Sequence, residues 1–327
     1  MDRHVLVTGA TGFAGSHVMD ALLERGYRVR VLIRPTSNLR WIPADRVETV
    51  VADVRDEASM GSLVEGVSWV FHFGGITRSR SRQEMFRVNC EGTLDLARAF
   101  EAASPPGGMF LFCSSLAATG PAEAADRPRR EDDPPRPISA YGESKLAAER
   151  LLEQNLGSGV RLVVVRPPAI YGPRDEAIVP FFRWVKWGWI PLPSPRESRV
   201  SLIHGRDLAE GCVALAEGGA AGTFHLADDS HYRWEEIGRL AGEALGRRTR
   251  GFRIPVGVVH LAGVGGDLAA RLGGAVPVIN RDKVRDIRQP FWITAVTKAR
   301  QSGVRQRIEL RQGIRETARW YAEEGWI

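Results

Sequence analysis

In the first half of this 327-residue chain, short β-branched runs alternate with stretches that carry the 3.6-residue period of a helix. His4–Thr8 predicts strand one, with a helix from about Gly12 to Arg25. Arg28–Ile33 predicts strand two and Val47–Ala52 strand three. Trp69–Phe73 predicts strand four, then a helix from about Gln83 to Ala103. Met109–Ser114 predicts strand five, Ala140–Asn155 a helix, and Arg161–Arg166 strand six. Strands and helices at this spacing imply βαβ units, an α/β fold and a parallel sheet.

The alternation breaks twice. Thr119 to Ser139 is rich in proline and charge and predicts a loop just before the helix that opens at Ala140. Pro173 to Arg199 predicts a second irregular segment, which carries Phe181, Phe182, Trp184, Trp187 and Trp189. Gly222–Ala227 then predicts a strand returning to the main sheet, and the remainder to Ile327 is mostly helical with glycine breaks. There is no internal repeat. The most apolar stretch, Ile254 to Leu272, is interrupted by His260, Asp267, Arg271 and several glycines, so it makes a poor membrane span.

Directly after strand one stands Thr8-Gly9-Ala10-Thr11-Gly12-Phe13-Ala14-Gly15. Glycines at 9, 12 and 15 permit a tight turn, close approach of backbone N–H groups to a pyrophosphate, and close helix–strand packing. The helix behind them contributes partial positive charge at its N-terminus. A glycine pattern alone is weak, but between the first strand and first helix of a βαβ series it predicts a dinucleotide site and a Rossmann-type, doubly wound sheet. Thr11, Phe13 and Ala14 belong to the same loop.

The tip of strand two separates NAD from NADP, since an acid there binds the ribose hydroxyls and an arginine accommodates a 2′-phosphate. Here Ile33 is followed by Arg34, Pro35, Thr36, Ser37 and Asn38, with no acid. Arg34 favours NADP(H). NAD(H) remains open, because Arg34 can equally be one more solvated arginine. Asp53 and Val54, after strand three, are candidate adenine contacts. Phe73, Gly74 and Gly75 end strand four, where small residues let a cofactor ribose lie against backbone.

Tyr141 and Lys145 stand at i and i+4, on one face of the helix that follows strand five. Ser114 and Ser115 end that strand, at the carboxyl edge where open α/β sheets bind ligands. A phenol of pKa ~10 exchanges protons poorly at neutral pH. Positive charge from Lys145 and from an oxidised nicotinamide is expected to lower that value. Lys145 can also hold the nicotinamide ribose, and Ser115 the substrate oxygen.

These elements together resemble the extended short-chain dehydrogenase/reductases, the NAD-dependent epimerase/dehydratase family. The resemblance rests on residues 8–15, on Tyr141–Lys145 and Ser115, and on Val88-Asn89-Cys90-Glu91-Gly92-Thr93. Arg166 to Pro173 and Ile203 to Ala209 extend it. It implies that Pro167, Ala169 and Ile170 line the nicotinamide, that Asn89 supports the site, and that the chain forms a homodimer through the helices starting near Gln83 and Ala140. The expected division is a cofactor domain of residues 1–172 and 201–228, with a substrate lobe of 173–200 and 229–327.

Within that family the sequence leans to a reductase of the dihydroflavonol/3β-hydroxysteroid type. Hydride transfer then runs between NADP(H) and a carbonyl or alcohol through Ser115, Tyr141 and Lys145. The alternative is a nucleotide-sugar epimerase with transient hydride transfer. Against the alternative, the strand-two acid is missing, and the positions where epimerases place an Asn and an Arg toward the sugar nucleotide hold Ala169 and Val200, with Arg199 one residue away. Leu116-Ala117 stand where sugar dehydratases carry an acid pair. The Trp-rich segment reads three ways: an apolar cover for the pocket, packing between lobes, or a peripheral membrane contact through aromatics interleaved with Arg183 and Lys186.

Composition narrows the partners. The net charge is +6, but the basic residues are dispersed, which argues against a nucleic-acid stripe. Only four of the 45 cationic residues are lysines (145, 186, 283 and 298), so a lysine at 145 is informative. Cys90, Cys113 and Cys212 have no metal-ligand spacing, and a sparse, odd set fits a reducing cytoplasm. No metal is expected, and the partner is a small-molecule substrate.

Overall fold

Short apolar strands alternating with helices assemble into one large parallel sheet. In the computed structural model, which describes residues 3–53, 59–192, 197–255 and 281–327 with Gly257, Val258, Leu261 and Gly265, seven strands run parallel in the order β10-β6-β5-β4-β1-β2-β3. They are β1 (His4–Thr8), β2 (Arg28–Ile33), β3 (Val47–Val51), β4 (Trp69–His72), β5 (Gly108–Cys113), β6 (Val160–Arg166) and β10 (Gly222–His225). The strands β4 and β5 are buried at every position, which is why they read as continuous apolar runs without alternation. The edge strand β3 is largely exposed.

Helices cover both faces. On one side α1 (Phe13–Glu24) and α7 (Gly205–Glu217) pack over Val5, Val7, Phe71, Leu111 and Val163. On the other, α2 (Met60–Val64), α4 (Gly92–Ala103) and α5 (Ala140–Asn155) cover Leu6, Val70, Phe110 and Val164. The chain winds outward from β1 to β3 and then crosses back to β4. The crevice at the carboxyl ends of β1 and β4 is therefore the topological switch point.

The helix expected from Gln83 to Ala103 is three pieces: α3 (Arg82–Phe86), a π-helical turn (Arg87–Glu91), and α4. Single π turns inside α-helices recur at functional sites. This one carries Asn89.

The irregular segment expected from Pro173 to Arg199 is corrected in part. It contains α6 (Val179–Lys186) and β8 (Trp189–Leu192). Val179, Phe182 and Val185 supply a buried helical stripe, and Pro180 sits in the first turn, where its missing N–H costs nothing. The prolines and Gly188 disguise both elements in the sequence. Phe182 is fully buried, whereas Trp184, Trp187 and Trp189 are exposed, so those three tryptophans do not serve as inter-lobe core.

The strands β7 (Ala169–Tyr171) and β9 (Arg199–His204) pair with each other outside the main sheet, and β9 also pairs with β11 (His231–Tyr232) and β13 (Phe291–Trp292). The strand β12 (Arg250–Arg253) pairs with β8. A third core joins α6, α8 (Trp234–Ala244) and α11 (Leu310–Glu323) around Phe182, Tyr232, Ile314 and Tyr321. Between them lie α9 (Arg281–Arg288) and α10 (Thr297–Gln301). Among the described residues, the region after residue 228 thus carries three short strands beside its helices. No helix among the described residues is long and apolar enough to cross a membrane.

Candidate active site

The glycine loop is shaped by contacts that tolerate no side chain. Gly9 has φ +73°, and a Cβ on it would lie 2.6 Å from the Phe73 carbonyl carbon. A Cβ on Gly15 would lie 2.3 Å from the Gly9 oxygen. The loop is pinned by Gly12 N donating to Gly9 O at 3.0 Å. Gly12 caps α1 without a side chain, so the first-turn N–H groups, those of Phe13, Ala14 and Gly15 among them, meet no side-chain acceptor at the cap. Thr11 is half-buried in the same turn. Phe73 N donates to Thr8 O, and Gly74 N to the Thr8 hydroxyl at 3.0 Å, which locks the end of β4 onto β1. A bare backbone cradle with unclaimed N–H donors fits a dinucleotide pyrophosphate.

Tyr141, Lys145 and Ser115 converge beyond β5. Ser139 caps α5 by accepting from Gly142 N, which fixes the first turn where Tyr141 sits. Ser115 caps the short turn after β5 and stands beside the phenol, its hydrogen bond favouring the phenolate. Burial outweighs that and holds the Tyr141 phenol well above its ordinary pKa. The lowering expected from Lys145 is therefore not what the protein alone imposes. The Lys145 ammonium is itself buried, which lowers its pKa. It donates to Cys113 O at 2.8 Å and lies 4.6 Å from the centre of the Phe112 ring.

Gly75 closes the arrangement. A Cβ there would meet Asn89 Oδ1 at 3.0 Å and Lys145 Nζ at 3.4 Å. Asn89, fully buried on the π turn, accepts from Ile76 N at 2.8 Å and donates to Ile76 O and to Ser144 Oγ. Its amide thus ties the β4 exit to α5 one residue from Lys145.

Ser114 turns elsewhere. Its hydroxyl donates to Glu149, which is 1% exposed and also receives Arg166 Nε at 3.0 Å. Glu149 follows Tyr141 and Lys145 at two successive steps of four, so one helix face carries all three. The Glu149–Arg166 pair and His72 went unread in the sequence. His72 bridges Thr8 Oγ1 at 2.6 Å and Thr93 Oγ1 at 2.9 Å, and burial pushes its pKa down to about 3. Such residues are recognised by partners distant along the chain, so only the i+4 spacing of Glu149 was a local signal. Asp286, from α9, also acts electrostatically on Tyr141 and brings the distal region to the site.

The remaining expected residues scatter around this centre. Arg34 is exposed at the tip of β2, and its guanidinium forms no ion pair among the described residues. Its backbone N–H donates to Ser37 Oγ at 2.9 Å. Asp53 is half-buried after β3, and Val54 lies outside the described residues. Pro167 is buried and accepts from Leu116 N, while Ala169 is exposed and Ile170 packs on the sheet core. Val200 points into the distal core, and Arg199 takes the opposite side of β9, pairing with Phe291.

The family model of the NAD dependent epimerase/dehydratase family matches residues 5–227. The chain belongs to that family. Within this epimerase/dehydratase family, it is similar to a ceramide reductase of Caulobacter vibrioides, 30% identical over 325 residues, covering 99% of this chain and 96% of the relative. It is also similar to a 3-beta-hydroxysteroid dehydrogenase of Mycolicibacterium neoaurum, 29% identical over 281 residues, with 80% and 75% covered. The solved UDP-glucose 4-epimerase of Thermotoga maritima superposes with a TM-score of 0.79 at 21% identity, with 98% and 99% covered, a likeness of fold. The chain is thus an extended short-chain oxidoreductase that works with a nicotinamide dinucleotide.

Proposed function

We propose that this protein reduces a carbonyl on a lipophilic substrate with NADPH, and oxidises the corresponding alcohol in reverse. The observation that carries the reading is the convergence of Tyr141, Ser115 and Lys145 beside Asn89 and Gly75. The bound nicotinamide supplies or accepts the hydride. Gly9, Thr11, Gly12, Phe13, Ala14 and Gly15 hold the pyrophosphate through backbone, and Phe73, Gly74 and Gly75 leave room for the ribose. Pro167, Ala169 and Ile170 border the ring, and Asp53 the adenine.

Burial keeps Tyr141 protonated at neutral pH, the state a proton donor needs. It gives that proton to the carbonyl oxygen as charge develops there, while the Ser115 hydroxyl donates a second hydrogen bond. Lys145, held by the Cys113 carbonyl and the Phe112 face, places its ammonium where it stabilises the resulting phenolate. Arg34 supports a preference for the 2′-phosphate of NADPH. The ceramide reductase relative, matched over nearly its full length, supports a lipid-sized carbonyl. Val200, an apolar residue packed in the distal core, puts no charge where epimerases carry an Arg. Family resemblance supports a homodimer through α3–α4 and α5.

A panel of lipophilic ketones and aldehydes with NADPH absorbance, beside a thermal-shift panel of UDP-sugars, tests the reading. Net NADPH oxidation with a carbonyl is expected. Strong stabilisation by a UDP-sugar with no oxidation of NADPH by any carbonyl would replace it with the epimerase alternative.

A further inference from the structure

Away from the cofactor crevice, β8 and β12 lie side by side, Trp189 opposite Arg250 and Pro191 opposite Phe252. With the end of α6 they assemble an outward-facing aromatic surface. Trp184, Trp187 and Trp189 are 43%, 68% and 45% exposed, an unusual concentration for a side chain this large. Their rings form one patch: the ring centre of Trp184 lies 5.7 Å from that of Trp187 and 5.6 Å from that of Phe252, and the Trp189 centre lies 6.1 Å from that of Phe252. These tryptophans do not fold the distal region, whose core is made by Val179, Phe182 and Val185 on the other side of α6.

The rim of the patch is cationic. Arg183, Lys186, Arg247, Arg248, Arg250 and Arg253 are all exposed, and neither 179–192 nor 245–255 contains an acid. Glu235 pairs with Arg253, and Glu243 with Arg239 and Arg311. Lys186, Arg247, Arg248 and Arg250 form no ion pair among the described residues.

We propose that this face docks on an anionic phospholipid bilayer. Indole rings partition to the headgroup level, where one side is apolar and the N–H is wet. Clustered arginine and lysine beside them are drawn to the negative potential of anionic lipid within a Debye length. A second copy of the chain is the poorer occupant, because a twofold contact would bring two cationic rims together. The inference stands on this surface alone and is independent of the substrate.

Co-sedimentation with phosphatidylcholine vesicles, with and without phosphatidylglycerol, provides the test. The full-length protein should pellet with phosphatidylglycerol vesicles at low salt, stay in solution with phosphatidylcholine alone, and lose tryptophan emission to brominated lipid. The double variant Trp187→Ser/Trp189→Ser and the charge reversal Lys186→Glu/Arg248→Glu should each weaken partition by about tenfold or more at unchanged melting temperature. Failure of the wild type to bind anionic vesicles overturns the proposal. So does undiminished binding by both variants. A dimer in size-exclusion chromatography that Trp187→Ser/Trp189→Ser abolishes, without vesicle binding, assigns the face to a second copy instead.

Discussion

The turn at 8–15 and the helix–strand at 179–192 are both glycine- or proline-marked breaks in periodicity, yet they do opposite things with their side chains. In the first, Ala10 and Ala14 pack on the sheet core and the turn itself is shaped by bare backbone at Gly9 and Gly15. In the second, the backbone is spent on α6 and β8, and the surface left over is three tryptophans. A site made of backbone demands particular glycines at particular spacings. A site made of exposed side chains demands only that some large ring be there, at no fixed interval. The first kind therefore leaves a pattern in a single sequence, and the second leaves only composition.

The largest effect expected belongs to the first region. Tyr141→Phe deletes the phenolic oxygen from a buried ring and leaves the backbone cradle intact. Turnover should fall by about 10²–10⁴-fold. NADPH affinity, read by fluorescence titration, should stay within about twofold, because nothing that would touch the pyrophosphate changes. Comparable turnover in wild type and variant would mean another group moves the proton, and the convergence at Ser115 would lose its meaning.

A smaller effect, on stability instead of chemistry, is expected where the sheet hands over to the distal region. Asp175, between β7 and α6, is 5% exposed; its Oδ1 accepts from Ala177 N at 2.8 Å, and its backbone carbonyl accepts from Tyr321 Oη at 2.5 Å. Burial pushes its carboxyl up to about 7. In the unfolded chain the same carboxyl ionises near 3.9. Between those values the folded state holds a proton that the unfolded state has released, so folding weakens as pH rises from about 4 to 7 and is flat beyond. Asp175→Asn keeps the acceptor for Ala177 and cannot ionise. Its stability advantage over wild type should grow across that window, up to about 4 kcal/mol. The difference between the two proteins is the quantity to follow, because the buried neutral histidines 17, 72, 204 and 225 impose the opposite slope on both. Parallel denaturation curves at pH 5 and pH 8 would show that Asp175 is ionised in the folded protein. Activity with NADPH should follow the folded fraction alone.

Legibility followed the same division. The strands β1 and β2 and the helix α5 coincide with their sequence limits, because each has an unambiguous start: a β-branched run, or Ser139 as a cap before Ala140. Tyr141 and Lys145 were readable because four residues make one helical step. Asn89 was readable by resemblance, but the π turn that presents it was not, since nothing in Arg87–Glu91 distinguishes a π turn from an α turn. Glu149 and Arg166, and His72 with Thr8 and Thr93, are joined only by tertiary contact. The helix α6 was hidden by Pro180, which breaks helices in their interiors and is harmless in the first turn.

The smallest effect expected lies at the rim of the cradle, where side-chain and backbone recognition meet. Arg34 is the one residue of the expected cofactor set whose contribution rests wholly on an exposed charge. A guanidinium on a 2′-phosphate forms charge-assisted hydrogen bonds, and removing one such partner costs about 1.5–3 kcal/mol. Exposure and salt screening place Arg34 at the lower end. Arg34→Ala should therefore weaken NADPH by about tenfold and leave NADH, which has no 2′-phosphate, unchanged. The wild-type preference should also shrink as salt is raised, whereas the affinity for NADH should barely respond. Arg34 N–H donates to Ser37 through backbone, so the turn itself survives the substitution. If both proteins bind NADPH equally at low salt, the arginine is merely solvated. The backbone cradle does not distinguish the two dinucleotides, so any remaining preference would fall to Ser37 and Asn38 beside Arg34.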